Sequence, residues 1–110
     1  MTGEPFYLEL GVPDADRALT FYAAVLGWTV DPAAGMTQVD TPGLSIGIHG
    51  GDPGTQFEVL FAVADIDAAL AAVTAAGGQI VSPVTDSPGF GRWAECRDDQ
   101  GVRFGSRQPT

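Results

Sequence analysis

The chain nearly repeats itself, and this constrains its fold more than any other feature. Displaced by 51 positions, the spacing from Asp14 to Asp65, eight residues meet their own kind: Val12, Asp14, Asp16, Ala18, Leu19, Ala24, Gly27 and Val30 fall on Val63, Asp65, Asp67, Ala69, Leu70, Ala75, Gly78 and Val81. A chain of this length is enough for one domain with one core and too short for two independent domains. The 110 residues therefore read as a single domain, 1–110, built of two modules, 4–49 and 56–108, joined by a Gly/Pro-rich linker at 50–55.

Each module opens on a strand and continues into a helix. In the first, Phe6, Leu8, Leu10 and Val12 alternate with Tyr7, Glu9 and Gly11, the period of a half-buried strand. In the second, Phe57, Val59, Phe61 and Val63 alternate with Glu58, Leu60 and Ala62. The apolar set of each strand is expected to face a helix. Asp14 and Asp65 stand where an N-cap accepts hydrogen bonds from unpaired amides of the first turn. Asp16 and Asp67 add charge at the favourable end of the helix dipole. Ala18, Leu19, Tyr22, Val25 and Leu26 form one apolar stripe, and Ile66, Ala69, Leu70 and Val73 the other; core packing also accounts for Phe21. Gly27 and Gly77-Gly78 are C-terminal stops. Further strands are expected at 28–30, 36–40 and 44–49 and at 79–84, 92–97 and 102–107, with turns at 42–43, 88–89 and 99–101.

The segments Leu10-Gly-Val-Pro-Asp-Ala-Asp-Arg-Ala-Leu-Thr-Phe-Tyr-Ala-Ala-Val-Leu-Gly-Trp28, Phe61-Ala-Val-Ala-Asp-Ile-Asp-Ala-Ala-Leu70 and Asp98-Asp-Gln-Gly-Val-Arg-Phe104 occur in this order. Together they resemble the vicinal-oxygen-chelate superfamily of glyoxalases, bleomycin-resistance proteins and extradiol dioxygenases. In the closing motif the family's Pro and Asn are replaced. The resemblance implies an α+β fold of two βαβββ modules in pseudo-twofold arrangement, forming a curved mixed sheet around one cavity. It also implies a homodimer.

Metal-dependent members of this family take ligands from the first and last strand of each module. The resemblance places Tyr7, Gly47, Glu58 and Gly105 at those positions, and only Glu58 is an ordinary metal donor. A transition-metal site needs several convergent donors, so the expectation is a protein without metal or other cofactor.

Strand alternation turns Tyr7, Glu9, Gly47, Glu58, Leu60, Ala62, Arg103, Gly105 and Arg107 away from the helices and toward the cavity. Trp93, Glu95 and Arg97 join them if Ala94 and Cys96 face the helix. The glycines leave room for an organic molecule, Tyr7 and Trp93 are surfaces on which a planar group can stack, and Phe90 is a candidate lid. Expected ligand-binding residues are thus Tyr7, Gly47, Leu60, Phe90, Trp93, Glu95, Arg103 and Gly105. Glu9 and Glu58 are the candidate catalytic pair, because neighbouring carboxylates in apolar surroundings acquire unequal pKa values and divide acid and base roles. The same carboxylates fit ion pairs with Arg103 or Arg107. His49 reads as a surface residue beside the linker.

The formal net charge is −9 and the five positive charges are all Arg, so the surface repels nucleic acid and favours a cationic ligand. The single cysteine, Cys96, reads as a buried thiol. Asp65 and Asp67 interrupt the longest apolar stretch, and the N-terminus lacks a signal-peptide pattern; a soluble cytoplasmic protein is expected. Three uses of the cavity remain open: sequestering an aromatic metabolite or antibiotic, a cationic one included; metal-free acid–base chemistry of the isomerase, epimerase or lyase type; and, as the further alternative, the chemistry of a divalent-metal lyase or dioxygenase.

Overall fold

The computed structural model describes residues 3–29, 38–41 and 43–110, with Asp40 described by its backbone alone. The described residues hold two helices and eight strands in an α+β arrangement with both parallel and antiparallel pairing: β1 (Pro5–Gly11), α1 (Ala15–Leu26), β2 (Gln38–Asp40), β3 (Ser45–His49), β4 (Gln56–Ala62), α2 (Ile66–Ala75), β5 (Gln79–Ile80), β6 (Thr85–Ser87), β7 (Gly91–Arg97) and β8 (Arg103–Gln108). Moved by the repeat spacing, β1 superposes on β4 at both ends. No helix among the described residues is long and apolar enough to cross a membrane.

The chain divides into two compact units, residues 7–58 and residues 59–110 with the segment up to Phe6. This differs from the boundaries expected at the linker. Gly51 N and Asp52 N donate to Pro13 O and Val12 O, so the linker belongs with the first unit. Gly3 N donates to Ala62 O and Ala62 N to Glu4 O, which ties the first residues to the second unit.

In the first unit β3 pairs parallel with β1, Glu9 opposite Gly47 and Gly11 opposite His49, and β2 pairs antiparallel with β3. The core is Leu10, Leu19, Val39, Ile46 and Ile48, with Leu8, Val12, Ala15, Ala18, Tyr22 and Trp28 packed on it. Asp14 caps α1, accepting from Arg17 N, and Gly27 ends it in the left-handed conformation. The buried face of α1 is narrower than the expected stripe: Phe21, Val25 and Leu26 are all more than half exposed. At 100° per residue, Ala15, Ala18, Leu19 and Tyr22 share one face; Phe21 lies about 110° from its centre, whereas Val25 and Leu26 fall at or beside that face but stand in the last turn. Trp28 and Thr29 lie outside any strand. The remainder of that expected strand, residues 36–37 of the next and Pro42 of the 42–43 turn lie outside the described residues.

In the second unit the strand order is β4-β8-β7-β5, with β6 also on β7. β4 and β8 are parallel, Leu60 opposite Gly105; β7 and β8 are antiparallel. Ile66, Leu70, Ala94 and the Cys96 thiol form the core, with Val63, Val73, Val84 and Phe104 packed around it. Ala94 and Cys96 therefore face α2, which turns Trp93, Glu95 and Arg97 to the other side of β7. Asp65 caps α2 through Ala68 N.

Two expectations fail in the later strands. The alternation predicts a helix-packed Phe57, yet it is 51 % exposed, whereas Glu58, Leu60 and Ala62 are buried. The strand expected over 79–84 ends at Ile80, and a separate short strand that was not expected follows at 85–87. Val81 N and Ser82 N both donate to Glu95 O, two residues against one, as in a β-bulge, and Pro83 has no N–H to restore the ladder. Pairing resumes as β6 at 85–87, Asp86 opposite Arg92.

Candidate functional site

Register makes the two modules comparable at their paired first and last strands. Glu9 opposes Gly47 and Leu60 opposes Gly105, and Leu60 is the repeat equivalent of Glu9. Gly47 and Gly105 are therefore equivalent positions. Neither has open space above it. A Cβ on Gly47 would collide with the Tyr7 hydroxyl and stand 2.5 Å from Glu9 Oε1. A Cβ on Gly105 would stand 2.6 Å from Leu60 Cγ. The room expected for a ligand over each glycine is instead taken by side chains of the neighbouring strand, polar in the first unit and apolar in the second.

The polar cluster of the first unit reaches further than the sequence suggested. His49 Nδ1 lies 2.8 Å from Glu9 Oε2 and His49 Nε2 lies 3.0 Å from Asp52 Oδ2. Asp52 Oδ1 accepts from Gly54 N at 3.0 Å, which fixes the carboxylate at the start of the linker. Gly11 makes this possible, since a side chain there would overlap the imidazole and the Asp52 carboxylate. The hydrogen bond to Glu9, followed by that to Asp52, holds the His49 imidazole above its ordinary pKa of 6.5 against the opposing effect of partial burial. His49 is thus no bystander. Alternation along β3 places Ser45, Gly47 and His49 on one face, beside Tyr7 and Glu9 of β1, and that signal was available in the sequence. Asp52 was not legible, because its contact depends on the path of the linker. Glu58, the other candidate carboxylate, is 3 % exposed.

The second unit gathers most of the remaining candidates. Arg103 donates from Nη2 to Glu95 Oε2 at 2.6 Å, so these two expected ligand contacts neutralise each other. Trp93 donates its indole N–H to Ser87 Oγ at 3.1 Å and meets Phe90 edge-on, ring centroids 6.5 Å apart. Arg107 lies flat between Phe90 and Phe6, its guanidinium carbon 3.6 Å and 4.6 Å from the ring centroids, and its Nε donates to Phe90 O at 2.8 Å. The Phe90 ring, expected as a lid, is held down by this stack. The turn before it closes with Phe90 N donating to Ser87 O.

The residues that the resemblance places at the family's metal positions make a donor set that does not fit a metal ion. In the first unit Tyr7 and Glu58 offer a phenol and one carboxylate, and Gly47 offers nothing; in the second, Gly105 offers nothing and Leu60 covers it. Among the described residues no three His, Cys, Asp or Glu side chains converge as metal ligands do.

Residues 5–105 match the family model described as Glyoxalase/Bleomycin resistance protein/Dioxygenase superfamily. The protein CFP32 of Mycobacterium tuberculosis, named as a glyoxylase, is 36 % identical over 119 residues, covering 99 % of this chain and 45 % of its own length. The anthracycline biosynthesis protein DnrV of Streptomyces peucetius is 32 % identical, covering 93 % of this chain and 46 % of its own. The chain thus spans about half the length of these relatives. Two solved structures share the fold: the hypothetical protein BH1468 of Bacillus halodurans, with TM-score 0.74, 12 % identity and coverage of 100 % of this chain and 96 % of that one, and methylmalonyl-CoA epimerase of Mycobacterium tuberculosis, with TM-score 0.67, 17 % identity and coverage of 96 % and 87 %.

Proposed function

Because the chain belongs to the glyoxalase/bleomycin resistance protein/dioxygenase superfamily, we propose that it binds a small carbonyl-bearing molecule and moves a proton on it without a metal ion, with Glu9 as the base. The observation that carries this reading is the setting of Glu9. One carboxylate oxygen is engaged by His49, and the other stands beside the Tyr7 hydroxyl over Gly47. A base must be held at fixed geometry before it can compete with water for a carbon-bound proton. In the proposed complex the Tyr7 hydroxyl donates to the substrate oxygen, where charge collects as the proton leaves. Glu58, buried in the same unit, is the proposed acid partner that returns a proton. The fold shared with an epimerase is consistent with such chemistry. The donor set at the family's metal positions supports doing it without a metal.

The test is solvent-deuterium exchange, followed by NMR, at carbon next to the carbonyl of a panel of thioesters, 2-oxo acids and aromatic ketones. Glu9→Gln is expected to abolish the exchange while leaving substrate binding within a few-fold. Full exchange in Glu9→Gln removes Glu9 from the mechanism, and no exchange with any class of the panel removes the reaction.

A second reading is sequestration of an aromatic molecule without turnover. The ring surfaces of Phe90, stacked on Arg107, and of Trp93, edge-on to Phe90, favour it, as does kinship with a protein of anthracycline biosynthesis. Leu60, Glu95, Arg103 and Gly105 would then shape and neutralise the binding wall, and the acidic surface would draw in a cation. Affinity should fall at least tenfold in Trp93→Ala or Phe90→Ala; unchanged affinity in both discards this reading. The working form we propose is a cytoplasmic homodimer that engages neither nucleic acid nor membrane, and sedimentation equilibrium showing only monomer at micromolar concentration would overturn the dimer.

A further inference from the structure

An imidazole has two N–H donors only when it is protonated. His49 faces two carboxylates, Glu9 from β1 at Nδ1 and Asp52 from the linker at Nε2. Satisfying both at once therefore requires the imidazolium, and a neutral ring can donate to only one of them. Asp52 is itself anchored, by Gly54 N on its Oδ1 and through its own N–H, which donates to Val12 O. Gly51 N on Pro13 O holds the same segment. The chain of contacts runs from the β1–α1 connection through the linker and the imidazole to one oxygen of Glu9. Two positions on this path are glycine, Gly11 and Gly47, and a side chain at either would displace a member of the cluster. Among the described residues, the charged groups paired with His49 are Glu9 on its own sheet face and Asp52 on the linker.

We infer that Asp52 and His49 are positioning residues for Glu9: the imidazolium, oriented by Asp52, pins Glu9 Oε2 and fixes Oε1 beside Tyr7 over Gly47. This rests on the reading of Glu9 as the base, and adds that the linker, outside the substrate-contacting strands, sets the geometry of that base. Loss of the His49 proton frees either Glu9 or the linker, so base geometry and linker order depend on one proton.

The chain contains one histidine, so its imidazole NMR signals need no assignment. The test uses the full chain with ¹⁵N in the imidazole and ¹³C in the carboxylates, titrated alongside Asp52→Asn and His49→Gln. Both ring nitrogens are expected to carry protons in the acid limb. The carboxylate signals of Glu9 and Asp52 should move together with the His49 midpoint, and that midpoint should drop in Asp52→Asn. In the same variant Glu9-dependent exchange should fall on the order of tenfold to a hundredfold, as misplacement of a catalytic group does, with the thermal midpoint little changed. His49→Gln should remove the alkaline fall of the exchange profile. The inference is overturned if the Glu9 signal ignores the His49 titration, or if Asp52→Asn leaves both the midpoint and the exchange rate unchanged. Carboxylate signals that follow His49 in a protein that exchanges no substrate proton would retain the clamp and remove the base. Glu9-dependent exchange with an indifferent carboxylate signal would do the reverse.

Discussion

Leu60 and Gly105 offer the sharpest test of how the space above the second module's glycine is filled. Leu60 is 5 % exposed, and its Cγ, Cδ1 and Cδ2 lie 2.6, 3.2 and 3.4 Å from where a Gly105 Cβ would stand. Leu60→Ala removes those three carbons and leaves a hole, at a cost of about 2–5 kcal/mol. Gly105→Ala drives a methyl into Leu60 and costs about 1–3 kcal/mol through displacement and overpacking. Together the two changes no longer conflict. The new methyl occupies part of the vacated space, recovering about 0.8 kcal/mol for the buried carbon and about 0.5–1 kcal/mol from replacing a strand glycine. The double variant should therefore be more stable than Leu60→Ala alone, with a favourable coupling on the order of 2–5 kcal/mol. Urea unfolding of the four proteins measures this, provided the m-values agree. Costs that add to within about 0.5 kcal/mol would show that Leu60 does not occupy the space over Gly105.

Other consequences follow from the same contacts. Gly47→Ala should disturb Tyr7 and Glu9 together; a fall in the His49 titration midpoint reports it, and an unchanged midpoint contradicts the packing at Gly47. The His49 pKa is raised on folding, so its contribution to stability is fully present below 6.5 and is lost as pH rises through the folded value. Urea midpoints of wild type should fall across that alkaline window relative to His49→Gln, and parallel curves would refute the pairing. Asp98 is held below its ordinary value of 3.8 by the amides of Val102 first and then Gln100. Its turn should be intact above that value and loosen as pH falls through the lowered one, seen as faster amide exchange at Val102. Removing the caps with Asp14→Ala or Asp65→Ala should cost about 1 kcal/mol each in urea unfolding, since both make the same contact with the amide three residues on.

Most of the fold was legible because it is written twice. The Asp14 and Asp65 caps, the alternation before each of them and the glycines after each helix recur at one spacing, so each half checked the other. What misled was packing that periodicity cannot see. Phe57 carries the pattern of an inward residue but stands exposed, and Pro83 splits a run of strand-forming residues that propensity alone would join. The candidate residues could be named from the sequence, but their arrangement could not. Gly47 and Gly105 were correctly singled out as small, but a glycine in sequence does not tell whether its space is empty or filled from the next strand. Register decides that, by setting Glu9 beside one and Leu60 beside the other. His49 was discounted for its place next to the linker, and the linker, through Asp52, is what draws it in.

The central claim, metal-free proton transfer by Glu9, meets its most direct test when exchange is followed in chelator-treated protein. Elemental analysis should first establish less than about a tenth of an equivalent of any transition metal, since a metal-dependent site must be occupied to work. The account predicts exchange at the untreated rate in this protein and none in Glu9→Gln prepared the same way. Exchange that vanishes on chelation and returns with added Mn²⁺, Ni²⁺, Fe²⁺ or Zn²⁺ would contradict it.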